Sequence, residues 1–126
     1  MARRVDEHFK ASEAEAYNLV ISRERIPRSL DREAHVATQR RVIEENLMGF
    51  REHERTTIDL DGAACVWMEY SWQSPEGAMN QVNVMRVVDD ILVSFTFTCA
   101  RAFTDAQRGA FRKVLESYKL SPPQGD

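Results

Sequence analysis

The sequence predicts an α+β protein, an antiparallel β-sheet meander with two helices packed on one face. Four strand-like segments, at about 52–60, 63–73, 78–88 and 91–99, follow one another with compact turns between them. A stretch with helical spacing precedes them, and a second, carrying its own start signal, follows them. The chain has 126 residues, 43% hydrophobic and 29% charged, which fits one globular domain rather than a disordered chain or a coiled coil.

Tyr17 to Glu24 reads as a short strand, ended by the turn around Ile26-Pro27-Arg28. Ser29 or Asp31 can cap a helix running to about Met48. Val36, Ile43, Leu47 and the following Phe50 fall on one stripe of it, and Gly49 supplies the stop. Asp61-Gly62 is a two-residue hairpin signal, while Ser74-Pro75-Glu76-Gly77 and Asp89-Asp90 make the other two connections. The run from Thr104 to Gln107 is a capping box that opens a last helix with Phe111, Val114, Leu115 and Tyr118 on one face. One domain over residues 1–120 is expected, with 121–126 as a disordered tail.

The turns set the register, and the register sorts side chains into two faces, because paired residues and alternate residues share a face. One face collects Ile58, Leu60, Cys65, Trp67, Val82, Val84, Ile91, Val93, Phe95 and Phe97, with Glu69 and Arg86 as its only charged members. This is the expected core. The other collects Val66, Met68, Tyr70, Trp72, Met79, Gln81, Asn83, Met85, Leu92 and Thr96, together with Thr57, Val87, Ser94 and Thr98. That mixture holds no Lys, Arg or Glu, as a solvated face would, and too many amides and hydroxyls for a second core. It describes a surface that adapts to an apolar partner and still exchanges hydrogen bonds. The plainer alternative is that N-terminal residues or a dimer partner cover it as ordinary structure.

Catalytic chemistry is hard to find. With 17 basic and 20 acidic residues the net charge is 17 − 20 = −3, which leaves no footprint for nucleic acid. The apolar runs are far shorter than a membrane span requires, and residues 1–8 have no apolar stretch behind them as a secretory signal would. His8, His35 and His53 lack metal-site spacing, and there is neither a nucleophile elbow nor a glycine-rich phosphate loop. Cys65 and Cys99 lack C-x-x-C spacing and are expected to be unbridged core residues of a protein in a reducing compartment. No enzyme, metal or cofactor is expected.

Several stretches nonetheless resemble a known family. They are Asn18–Glu24 followed by a Pro turn, the helix end Leu47-Met48-Gly49-Phe50, Ile58–Gly62, Tyr70–Gln81 with its Trp72-x-Ser74-Pro75-x-Gly77 hairpin, Ser94–Thr98 and Phe103–Gln107. In order and spacing, over residues 18 to about 118, the chain resembles the Eag-type effector chaperones of bacterial type VI secretion, DcrB-like proteins with a PsbP-like α/β sandwich. The resemblance implies a cytoplasmic homodimer that shields hydrophobic, transmembrane-type helices of a PAAR-containing effector until it is loaded on the spike. The gripping surface it implies is the sheet face away from the helices, here the Met-, aromatic- and amide-bearing face. A DcrB-like envelope-associated protein of structural role is the alternative. The resemblance also implies a strand ahead of Tyr17, where residues 1–16 offer only Val5 and Phe9 as large apolar anchors.

Overall fold

The computed structural model describes residues 2–3, 17–27, 29 and 31–118; the expected tail at 121–126, Val5 and Phe9 lie outside them. In chain order the elements are β1 (Ala2–Arg3), β2 (Asn18–Arg25), α1 (Arg32–Asn46), β3 (Arg51–Leu60), β4 (Ala63–Ser74), β5 (Gly77–Val88), β6 (Ile91–Cys99) and α2 (Asp105–Ser117). The strands form one sheet in the order β1-β2-β6-β5-β4-β3, antiparallel between every pair of neighbours. The α+β class and the four-strand meander therefore stand. The strand implied ahead of Tyr17 is present as β1, a two-residue element on Arg23 and Glu24.

Each hairpin closes in the register that its turn residues dictate. Ile58 pairs with Cys65, Met68 with Asn83, and Met85 with Ser94. Asp61 and Gly62 both adopt positive φ, 51° and 87°, the combination whose twist matches that of the flanking strands. The Asp59 carboxylate accepts the Gly62 N–H at 2.9 Å and secures that turn. A bulge between Glu52 and Glu54 interrupts β3, an exposed and highly charged edge strand. Bulges and charges of this kind keep a sheet edge from pairing with other chains.

The core lies between one sheet face and α2. The Thr104 hydroxyl accepts from the Gln107 N–H while the Gln107 side chain accepts from the Thr104 N–H, so the capping box forms as expected. Phe111 then drops into the sheet, stacked on Phe97 at 4.2 Å and edge-on to Tyr17 at 4.7 Å and Phe103 at 5.3 Å. Trp67, Val82, Val84, Val93, Phe95 and Leu115 close around it. The two charged residues of this face are both satisfied. Arg108 of α2 reaches Glu69 with two nitrogens, at 2.9 and 2.8 Å, and Arg86 donates to the carbonyls of Leu60 and Asp61. Both cysteines are free, with Cys99 opposite Asn80.

The two helices do not share a face, which corrects the expectation from sequence. Val36 and Ile43 of α1 pack with Ile26, Met85, Val87 and Leu92, all on the side opposite α2. Connectivity explains this. Counting antiparallel steps from β2 through β6, β5 and β4 to β3 makes β2 and β3 parallel, so α1 is a crossover spanning the sheet. Such crossovers have a fixed hand and hence one permitted face.

Two outcomes follow from this packing. Phe111→Ala should cost about 3–5 kcal/mol, read from chemical denaturation, because four aromatic rings lose their common neighbour. Arg108→Met should cost about 1–3 kcal/mol by stranding the buried Glu69 carboxylate. Adding Glu69→Gln to it should recover part of that loss, since the stranded charge is then gone.

Candidate functional site

Opposite α2, the sheet carries its side chains in rungs that cross the strands. One rung runs Tyr70, Gln81, Thr98, Asn18; the next runs Met68, Asn83, Thr96, Val20; the next runs Met85, Ser94, Ser22. On these rungs the β4–β5 side is apolar or amide, and the β6–β2 side is hydroxyl or Val20 except for Asn18 at the end of the first. Alternation along each strand produces the rungs, and the Val/Thr/Ser content of β2 and β6 produces the smooth half.

The amides link the two halves. Gln81 Oε1 accepts from the Trp72 indole N–H at 3.0 Å, and Gln81 Nε2 donates to Thr98 Oγ1 at 3.1 Å. Asn83 Nδ2 donates to Ser94 Oγ at 3.0 Å and Thr96 Oγ1 at 3.2 Å. The track Trp72–Gln81–Thr98, with Asn83 on Ser94 and Thr96 beside it, is fully buried only at Asn83; the other members are half-buried. Hydroxyls that accept from an amide keep their own O–H, so this half of the face presents donors.

The apolar half is closed. Met68 and Tyr70 are 0% and 2% exposed, and Met85 and Leu92 each 6%. Phe50, in the loop after α1, stacks on Tyr70 with ring centroids 5.1 Å apart. Arg55 of β3 donates to the Met68 sulfur and to Glu44 of α1 at 2.7 Å, pinning the helix to the sheet edge. The face was expected to lie away from both helices, with all ten candidates open to a partner. Within one chain α1 and its loop occupy half of it. Of those candidates, Met68, Tyr70, Asn83, Met85 and Leu92 are buried, and Val66, Trp72, Met79, Gln81 and Thr96 are half-buried. Sequence reasoning found α1 but not its place on this face, because its own residues are mostly polar and none is buried. It missed Val20 and Ser22 of β2 because no turn ties β2 to β6.

Local electrostatics follows burial. Desolvation pushes the Tyr70 phenol and the Cys65 thiol above their ordinary ranges. Hydrogen bonds donated to Glu44 and Glu52 hold the Arg55 guanidinium above its own. Among the described residues no three His, Cys, Asp or Glu side chains gather as a metal site would require.

The raised phenol and thiol have a consequence for stability. Both groups hold their protons more tightly folded than unfolded, so their contribution is complete below the unfolded values, about 8.5 for Cys and 10 for Tyr, and is lost as pH rises through the folded ones. Denaturation midpoints should therefore fall above about pH 9, and Tyr70→Phe should flatten the upper part of that decline.

The fold is similar to that of PA94 from Pseudomonas aeruginosa, a protein of unknown function described as a proposed regulator. The TM-score is 0.75 at 23% identity, with 98% of this chain and 86% of that chain covered, a likeness of fold. No curated protein is significantly similar to the chain in sequence. The DcrB family matches from residue 8 through residue 117, so that the core, α1 and the amide–hydroxyl face all fall within it, and the chain belongs to the DcrB family.

Proposed function

We propose that this protein is a cytoplasmic chaperone that holds hydrophobic, transmembrane-type helices of a PAAR-containing type VI effector before spike loading, acting as a homodimer and without catalysis. The observation that carries the reading is the amide–hydroxyl track of Trp72, Gln81, Thr98, Asn83, Ser94 and Thr96. A membrane-type helix in water exposes apolar surface at roughly 25 cal/mol per Å². A shield for it needs apolar area together with hydrogen-bonding groups that tolerate Ser- and Gly-bearing helix surfaces. The half-buried Trp72 and Met79 supply the first, and the Ser and Thr hydroxyls of β6 and Ser22 of β2 the second. Small side chains on β2 and β6 let a helix backbone come close, as helices in membranes do with one another. The resemblance to the Eag-type chaperones supplies the effector class. Among the described residues no helix is long and apolar enough to cross a membrane.

The test is co-expression with the apolar N-terminal segment of the adjacent effector, followed by affinity purification and mass determination. A soluble complex of fixed stoichiometry, with the segment insoluble alone, is the expected result. Met79→Arg and Thr96→Arg, at half-buried positions on the open part of the face, should each keep the fold and lower recovery of the client by about tenfold. If both variants retain the client, the face is wrong. Met68→Asp and Met85→Asp are unsuitable probes, because each would place a carboxylate beneath α1 and destabilise the fold itself.

A further inference from the structure

Between α1 and the sheet, at the end where β3 turns into β4, lies a groove of about 410 Å³. Its floor is apolar, formed by Val36, Val66, Met85 and Val87, and its rim carries Arg32, Arg40, Arg86 and Glu33. With Arg86 committed to the Leu60 and Asp61 carbonyls, Arg32 and Arg40 stand against Glu33 on the rim, in a chain whose net charge is −3.

The arginines are held ready rather than neutralised. Arg32 Nε donates to the Asp89 carbonyl at 2.8 Å, and Arg86 uses one nitrogen on the Leu60 and Asp61 carbonyls. These bonds to backbone fix the side chains without cancelling their charge, and each guanidinium has five N–H donors in all. Arg40 is half-buried and makes no hydrogen bond among the described residues; its neighbour Glu44 is taken by Arg55 at 2.7 Å. Burial and the Arg55 charge press the Arg40 guanidinium below its ordinary range, while the Glu44 carboxylate pulls the other way. A desolvated cation with unused donors, beside an apolar floor of ligand-site size, fits a molecule with an oxyanion head and a hydrocarbon body.

We infer that this groove binds a monocarboxylate amphiphile of the fatty-acid class, its carboxylate at the rim that carries Arg32 and Arg40 and its chain over Val36, Met85 and Val87. The apolar floor, rather than the rim, favours an amphiphile over a small inorganic anion. The inference stands independently of the client reading, with whose face it shares Val66, Met85 and Val87.

The test is an NMR titration of the full chain with octanoate, alongside 1-octanol, octylammonium and inorganic phosphate at equal salt. Octanoate should shift resonances of Val36, Met85 and Arg40 saturably, with octanol and phosphate each weaker by about tenfold or more and octylammonium silent. Arg40→Gln and Arg32→Gln should each weaken octanoate by about tenfold, while Arg41→Gln, on an exposed side chain bonded to Thr38, should leave it unchanged. Arg32 is exposed, so its variant keeps the test valid if Arg40→Gln perturbs the fold, as circular dichroism would reveal. Equal binding of octanol would make the groove merely apolar, and equal binding of phosphate would make it a simple ion site. Either result, or octanoate binding unchanged in both Arg variants, overturns the inference.

Discussion

Phe111 is the residue on which the arrangement turns. It is fully buried and touches rings from Tyr17 just before β2, from β4, from β6 and from the loop before α2. A single helix can cover one face of a twisted six-stranded sheet only if a large side chain reaches its middle, and α2 does this with Phe111 flanked by Leu115. The ion pair of Arg108 with Glu69 then fixes the rotation of α2 about that anchor. Aromatic packing supplies area without direction, whereas a two-nitrogen contact to a carboxylate supplies direction. Together they commit one face of the sheet to α2 and leave the other to be settled by the crossover.

That second face divides because α1 is too short and too polar to cover it. Fifteen helical residues span about 22 Å, while five strands at about 4.8 Å spacing present a comparable width. Yet only Val36 and Ile43 of α1 join the small cluster on Met85, Val87 and Leu92. The remaining contacts are ionic or come from the following loop, through Arg55–Glu44 and Phe50–Tyr70. A helix held this way closes the β4–β5 side, leaves a groove beneath its N-terminal half, and gives up the β6–β2 side. Groove and open track are thus two results of one incomplete covering.

Most of the sheet could be read from the sequence because its information is local. Asp61-Gly62 and Thr104–Gln107 are short signals with one structural meaning each, and alternation carries them outward into faces such as Trp67–Val84–Phe95. The helix placement is not local. It depends on β2 lying beside β6, and nothing in Asn18–Arg25 names its partner strand. Once that pairing is known, the parallel relation of β2 to β3 forces a crossover, and a face for α1 follows. The bulge at His53 was invisible for a different reason. An edge strand with charge on both sides shows no alternation, so an extra residue leaves no mark on the pattern.

The amides of the candidate face serve the protein before they serve any partner. Gln81 and Asn83 direct their N–H groups at Thr98, Ser94 and Thr96, and Gln81 accepts from Trp72. They are therefore poor choices for reading a client directly. They occupy one acceptor site on each hydroxyl, which keeps its own O–H free to rotate toward a partner. Carbonyl oxygens on the surface of a helix already accept one bond within the helix and retain a second lone pair. A row of O–H donors matches those oxygens whatever the side chains, while Trp72 and Met79 adapt to the apolar remainder. On the chaperone reading, such a face recognises the helical backbone rather than a sequence, which is what a shield for hydrophobic helices of varied composition requires.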